Sequence, residues 1–145
     1  MFSTYIYDEF PLVKVVFEEG PKTMEDFEEF TNGWLDLYEK REMFTFLFDT
    51  TKMKDPAYKY AIKMSQFIRE LKKKETQYLD KSVILINNNK IKYLLDAIFA
   101  IQKPVAPVYI YNINNDDIIN ENNINHIINH KDTLLTVSYT HLRAH

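Results

Sequence analysis

MFTFLFDTTKMKDPAYKY, Met43 to Tyr60, is the stretch that decides the fold. An apolar run from Met43 to Phe48 stops at Asp49-Thr50-Thr51, and the chain then passes through Asp55-Pro56 into a segment with helical spacing. The run is apolar at successive positions, not alternate ones. That is the pattern of a central strand covered by helices from both sides.

Working outward, Leu12 to Phe17 (LVKVVF) reads as a strand that ends at the turn signal Glu18-Glu19-Gly20-Pro21. Ser3 to Tyr7 can pair with it as an antiparallel strand, closed by Asp8 to Pro11. Thr23 and Asp26 form an approximate capping box, and Met24, Phe27, Phe30, Trp34 and Leu37 recur at helical spacing to about Lys40. A second helix is expected over about Ala57 to Thr76, with a stripe of Ala61, Met64, Ile68 and Leu71 widened by Phe67. Lys72, Lys73 and Lys74 fall in its last turns, where cations suit the helix dipole. Ser82 to Ile86 reads as a buried strand. Ile91, Leu94, Leu95 and Ile98 mark a third helix ended by Lys103-Pro104, and Val105 to Tyr111 is a last strand. Pro107, which lacks an amide donor, argues for an edge position there. Alternation of this kind predicts an α/β fold, a small, mostly parallel sheet of four to five strands with helices on its faces.

The segment Asn112 to Thr136 is rich in Asn and Ile. It reads as a terminal helix, capped by Asp116 or Asp117 with Ile124, Ile127 and Ile128 on one face, or as a low-complexity tail. The excess of Asn, Ile, Lys and Tyr fits AT-rich coding. Val137 to His145 (VSYTHLRAH) looks like a translated sequencing-library adaptor, although VSYT alternates acceptably as a strand. Setting it aside removes one positive charge, Arg143, and takes the formal net charge from -3 to -4. Residues 1–136 are then expected to form a single domain.

Composition narrows the function classes. A mildly acidic chain without a clustered basic face is not expected to bind nucleic acid. With no cysteine there is neither disulfide framework nor thiolate chemistry, which fits a reducing, cytoplasmic compartment. No apolar run reaches the roughly 20 residues of a spanning helix, and the start lacks a cationic leader. Gly20 and Gly33 are the only glycines, so no glycine-rich phosphate loop can form.

The stretches VKVVF, TMEDFEEF, FTFLFDTT, SVILINNN, KYLLDAIFAIQKP and APVYIYN follow one another in an order that resembles the STAS domain, the fold of anti-sigma factor antagonists and of sulfate-transporter tails. The resemblance covers about residues 12–130. It implies a β-α-β-α-β-α-β-α succession and a non-enzymatic module that binds proteins or ligands. In the antagonist branch a phosphorylatable serine opens the helix after the central strand, within an Asp-Ser-Ser type motif. Here that place falls at Asp55-Pro56-Ala57-Tyr58. No serine stands there, so the resemblance implies no serine switch and carries over no catalytic residue.

In open α/β sheets ligands bind beyond the carboxyl ends of the strands. Asp49, Thr50, Thr51 and Lys52 lie at such an end, as do Asn87, Asn88 and Asn89 after the next strand and Asn112 and Asn114 after the last; Asp55 follows on the first loop. All are expected on one rim, where carboxylate, hydroxyl and amide groups can hold a partner's backbone or a small polar ligand. The alternative is that Asp and Thr here cap the next helix and that Asn serves the turns. A phospho-acceptor role for Asp49, with Glu18 and Glu19 as metal-binding neighbours, lacks its supporting lysine and hydroxyl. His126 and His130 are four apart on a potential helix, yet no third metal ligand is evident.

The expected activity is therefore that of a non-catalytic regulatory module without cofactor or metal, acting as a monomer or weak dimer on an unknown protein partner. Binding of a lipid or small apolar ligand between helices and sheet is the alternative, with Lys72 to Lys74 beside exposed aromatics as a potential membrane-surface contact. An enzyme of unknown type comes third. A closed core would exclude the apolar ligand, whereas a cavity lined by Tyr60, Met64 and Phe99 would favour it.

Overall fold

A computed structural model describes residues 2–113 of the chain. Strands β1 (Ser3–Ile6) and β2 (Leu12–Phe17) pair antiparallel; β3 (Phe44–Asp49), β4 (Leu79–Ile86) and β5 (Val108–Asn112) then follow in parallel. The five-stranded sheet has the order β1-β2-β3-β4-β5. Helices α1 (Met24–Tyr38), α2 (Ala61–Leu71) and α3 (Asn89–Ile101) make the crossovers. The α/β class, the mostly parallel sheet and the antiparallel first strand all match the sequence reading.

Each crossover moves to the next strand in the same direction. Right-handed connections then place every crossover helix on one face of the sheet. The burial follows: Phe30, Trp34, Leu37, Leu71 and Ile91 of the helices share one core with Val13, Val15, Phe46, Phe48, Ile84 and Ile110 of the strands. The alternate strand positions Leu47, Val83 and Leu85, with Ile113, form a second buried cluster on the other face. β3 is central and apolar on both faces, as expected, but among the described residues no helix lies over its second face.

The first core is a mesh of rings. Trp34 meets Phe46 edge-on at 4.8 Å, Phe46 lies 4.5 Å from Phe48, and Phe17 meets Phe30 at 5.2 Å. Burying such a side chain contributes roughly 1.5–3 kcal/mol, and a well-placed aromatic pair adds about 0.5–1.5 kcal/mol.

Thr23 caps α1 with the full reciprocal box: its hydroxyl accepts from the Asp26 amide at 3.2 Å, and Asp26 accepts from the Thr23 amide at 3.2 Å. The second helix is shorter than its pattern suggested. A 3-10 turn occupies Tyr58–Tyr60, α2 begins at Ala61, and it ends at Leu71. Pro56 disfavours helical geometry at the residue before it, and Lys72 to Thr76 offer no apolar anchor beyond Leu71. Lys72 to Lys74 thus follow the helix, with Lys73 and Lys74 donating turn bonds to the carbonyls of Glu70 and Leu71.

β4 starts three residues earlier than Ser82 because a register shift hides it. Phe44 pairs with Leu79 but Thr45 pairs with Lys81, so the inward residues Leu79 and Ser82 fall out of simple alternation. β5 starts after Pro107, whose carbonyl accepts from the Ser82 amide at 2.9 Å. It is the edge strand at this side of the sheet. No described helix is long and apolar enough to cross a membrane. The expected terminal helix from Asp116, with His126 and His130, and the adaptor-like residues Val137 to His145 lie outside the described residues.

Candidate functional site

The sheet register sets the carboxyl ends of β3, β4 and β5 side by side: Asp49 pairs with Leu85, and Ile86 with Asn112. Asp49, Thr50, Thr51, Asn87, Asn88 and Asn112 are therefore brought to one rim. Apart from the exposed Asn112, their side chains are engaged in hydrogen bonds with one another or with neighbouring backbone. Thr50 is buried, and both its amide and its hydroxyl donate to the Leu85 carbonyl, at 3.1 and 2.7 Å. Asp49 is also buried and accepts at one carboxylate oxygen from the amide and the hydroxyl of Thr51, at 3.0 and 2.6 Å. Asp49 caps no helix. The residue before α2 is Tyr60, with no side-chain cap, so Asp49 folds its own loop instead.

The asparagines fasten that loop to the next crossover. Asn87 donates to the Thr51 carbonyl at 3.0 Å and Asn88 to the Met53 carbonyl at 3.3 Å. Asn88 also caps α3, accepting from the Ile91 amide at 3.2 Å. Lys52 pairs with Glu18 at 3.6 Å on the surface, and Lys90 reaches Asp55 at 2.9 Å. The Asp55 carboxylate raises the Lys90 ammonium pKa through this hydrogen bond and its charge. No group of three or more His, Asp or Glu side chains suited to a metal occurs among the described residues.

Directly beneath this loop, between helices and sheet, is a cavity of about 140 Å³. Phe48, Ser82, Ile84 and Val108 line it from the strands; Phe27, Phe30 and Trp34 from α1; Met64 and Ile68 from α2; Leu94, Leu95 and Phe99 from α3. Thr50, Met53, Ala57 and Tyr60 close one side and Pro104 to Ala106 another. Tyr60, Met64 and Phe99, the side chains expected to mark an apolar site, all belong to the wall. Among the described residues no charged side chain does. The wall combines large rings with the small residues Ala57, Ser82 and Ala106.

The rim and the cavity are one construction. The loop from Thr50 to Ala57 gives Thr50, Met53 and Ala57 to the cavity wall and also carries the predicted polar residues Thr51, Lys52 and Asp55. Its far end rests against Gly20, where an added Cβ would lie 2.9 Å from the Asp55 carbonyl oxygen and 3.2 Å from the Ala57 amide nitrogen. Phe27 stacks on Tyr60 at 5.4 Å and 14°, joining α1 to the same loop. Asp49, Thr51, Asp55, Asn87 and Asn88 thus hold a wall in place.

Ser82 is the lining residue that rim-based reasoning passed over. It is 3% exposed and faces the cavity from the floor. Its signal in the sequence is a hydroxyl at the inward-facing start of SVILI, where Ile84 and Ile86 follow at the same-face positions.

Comparison of the chain with protein-family models, with curated proteins and with solved structures found no match.

Proposed function

We propose that this chain is a non-catalytic, STAS-like binding module that takes a small apolar ligand between its helices and its sheet. The cavity carries this reading. Protein interiors rarely hold voids much larger than a water molecule. A ligand seated in a volume of about 140 Å³ removes its apolar surface from water, worth roughly 25 cal/mol per Å² buried. Cavities of about 150 Å³ walled by aliphatic and aromatic side chains take up benzene. The succession of strands and helices, with the antiparallel first pair, supports the STAS-like likeness.

Among the described residues the wall holds no carboxylate, amine or imidazole to act as a general acid or base, which supports a binding role over an enzymatic one. The test is thermal unfolding with added toluene, alone and in Ala106→Leu, which fills the cavity. Toluene at ten times its dissociation constant is expected to stabilise the wild type by about 1.4 kcal/mol, a shift of several degrees. The filled variant is expected to melt independently of toluene. Equal response of both proteins contradicts the reading.

A protein-partner role is the second reading. Tyr58, Ile62 and Tyr93 are 48, 60 and 59% exposed, and the Tyr58 hydroxyl donates to the Lys90 carbonyl at 3.1 Å, so these side chains border the seam between α2 and α3. On this reading Ile62→Glu abolishes recovery of a partner from the native source while Asp49→Ala leaves it intact; recovery unaffected by Ile62→Glu counts against it.

A further inference from the structure

The wall of the cavity is largely apolar, and Thr50, Ser82, Trp34 and Tyr60 bring the hydroxyl and ring N–H groups to it. Three other buried hydroxyls are spent on backbone carbonyls: Thr31 on Glu28, Thr50 on Leu85, and Ser65 on Ala61 and Ile98. Ser82 is as deeply buried as these and lines the cavity, and no hydrogen bond of its hydroxyl is found within the described residues; Nε1 of Trp34, another lining residue, is likewise buried without a partner. A buried hydroxyl left alone forfeits the hydrogen bonds it had in water, and native structures seldom keep one without reason. An alanine at this position would carry no such penalty. Phe46 and Val108 pair with Ser82 across the sheet and Ile84 follows it on the same face; none offers a polar side-chain atom.

We infer that the ligand of this cavity is a neutral molecule of about the size of a single substituted ring, bearing one hydrogen-bonding group that the Ser82 hydroxyl receives. This rests on the apolar-ligand reading and adds its selectivity. A volume of about 140 Å³ admits one ring or a short alkyl segment and excludes a whole lipid. The absence of charged groups from the wall disfavours carboxylates and ammonium ions, which would enter without a counter-charge. Because a serine hydroxyl both donates and accepts, an alcohol, phenol or ketone can meet it. The ligand's polar group supplies the missing partner of Ser82, and its apolar body occupies the space under the Thr50 to Ala57 loop.

The experiment uses toluene and phenol, which differ by a methyl against a hydroxyl, and benzoate as the charged control. Dissociation constants are measured on the full chain by following the methyl signals of Met53 and Met64 on titration, for the wild type, Ser82→Ala and Ser82→Thr. A single hydrogen bond of ordinary strength corresponds to about a 3- to 10-fold change in affinity. The ratio of phenol to toluene affinity is expected to fall by about that factor in Ser82→Ala, with toluene affinity held or improved, and to be kept in Ser82→Thr. Benzoate is expected not to bind. An unchanged phenol-to-toluene ratio in Ser82→Ala, or benzoate binding as tightly as phenol, overturns the inference while leaving the cavity a ligand site. If neither toluene nor phenol binds the folded wild type, the apolar-ligand reading falls, and the assignment to Ser82 falls with it.

Discussion

The Thr50 hydroxyl donates to the Leu85 carbonyl oxygen at 2.7 Å, alongside the Thr50 amide at 3.1 Å on the same acceptor. Two donors from one residue thus clamp the end of β3 to the end of β4 at the point where the chain turns over the cavity. Thr50→Val keeps the shape and deletes one donor. Loss of about 1 kcal/mol of stability is expected, because the carbonyl retains the amide bond. Urea unfolding measures it; a cost near zero would show that the hydroxyl does not hold the loop.

Asn88 performs two separable tasks, capping α3 through its oxygen and tethering the Met53 carbonyl through its nitrogen. Asn88→Ala loses both and is expected to cost about 1–2 kcal/mol. Asn88→Asp preserves the cap, so it recovers most of that stability while still lacking the tether. Ligand affinity separates them further: both variants are expected to weaken toluene binding, since Met53 is wall. Toluene affinity equal to wild type in both would remove the rim from any part in shaping the cavity.

Gly33 lies against the ring of Tyr5, where an added Cβ would come within 2.4 Å of Tyr5 Cε1 and 2.7 Å of Cζ. Two effects oppose each other in Gly33→Ala. Helix propensity favours alanine by about 1 kcal/mol, whereas overpacking in a filled site costs roughly 1–3 kcal/mol. The clash involves a ring fixed by its hydroxyl on the Phe30 carbonyl, so it dominates and net destabilisation is expected. In a Tyr5→Leu background the same substitution becomes neutral or stabilising, a coupling that a double-mutant cycle reads directly.

Burial pushes the Tyr5 and Tyr38 phenols above the ordinary tyrosine range. An unfolded tyrosine titrates near pH 10. The folded state holds these protons more tightly, so the stability they contribute is complete below about pH 10 and is lost as pH rises through the folded pKa values. Alkaline unfolding coincident with late tyrosinate absorbance is expected. Tyr5→Phe flattens the alkaline limb of the stability curve; an unaltered limb would place the titrating group elsewhere.

The architecture was legible because strand and helix periods change cleanly: LVKVVF was placed residue for residue, and Thr23 and Asp26 announced α1. What escaped had local causes. The register shift beside Asp80 hid the start of β4, and Pro56 with the charged run after Leu71 trimmed α2 at both ends. Asp49, Thr50, Thr51, Asn87, Asn88 and Asn112 lie at one end of the sheet, while Asn114 falls outside the described residues; residue types alone do not tell a binding group from one already satisfied. Asp49 and Thr50 turn inward to their own loop and to β4, which only the placed side chains reveal. The cavity was nameable by Tyr60, Met64 and Phe99. Its existence depended on how rings and small residues meet across three helices, and no one-dimensional pattern encodes that.

The most direct test of an apolar site beneath the Thr50 to Ala57 loop is a toluene titration followed by methyl signals across the protein. The account predicts saturable shifts confined to cavity methyls such as those of Met53, Met64, Ile84 and Leu95, absent in Ala106→Leu. Shifts that stay linear to the solubility limit, or that survive in the filled variant, would contradict it.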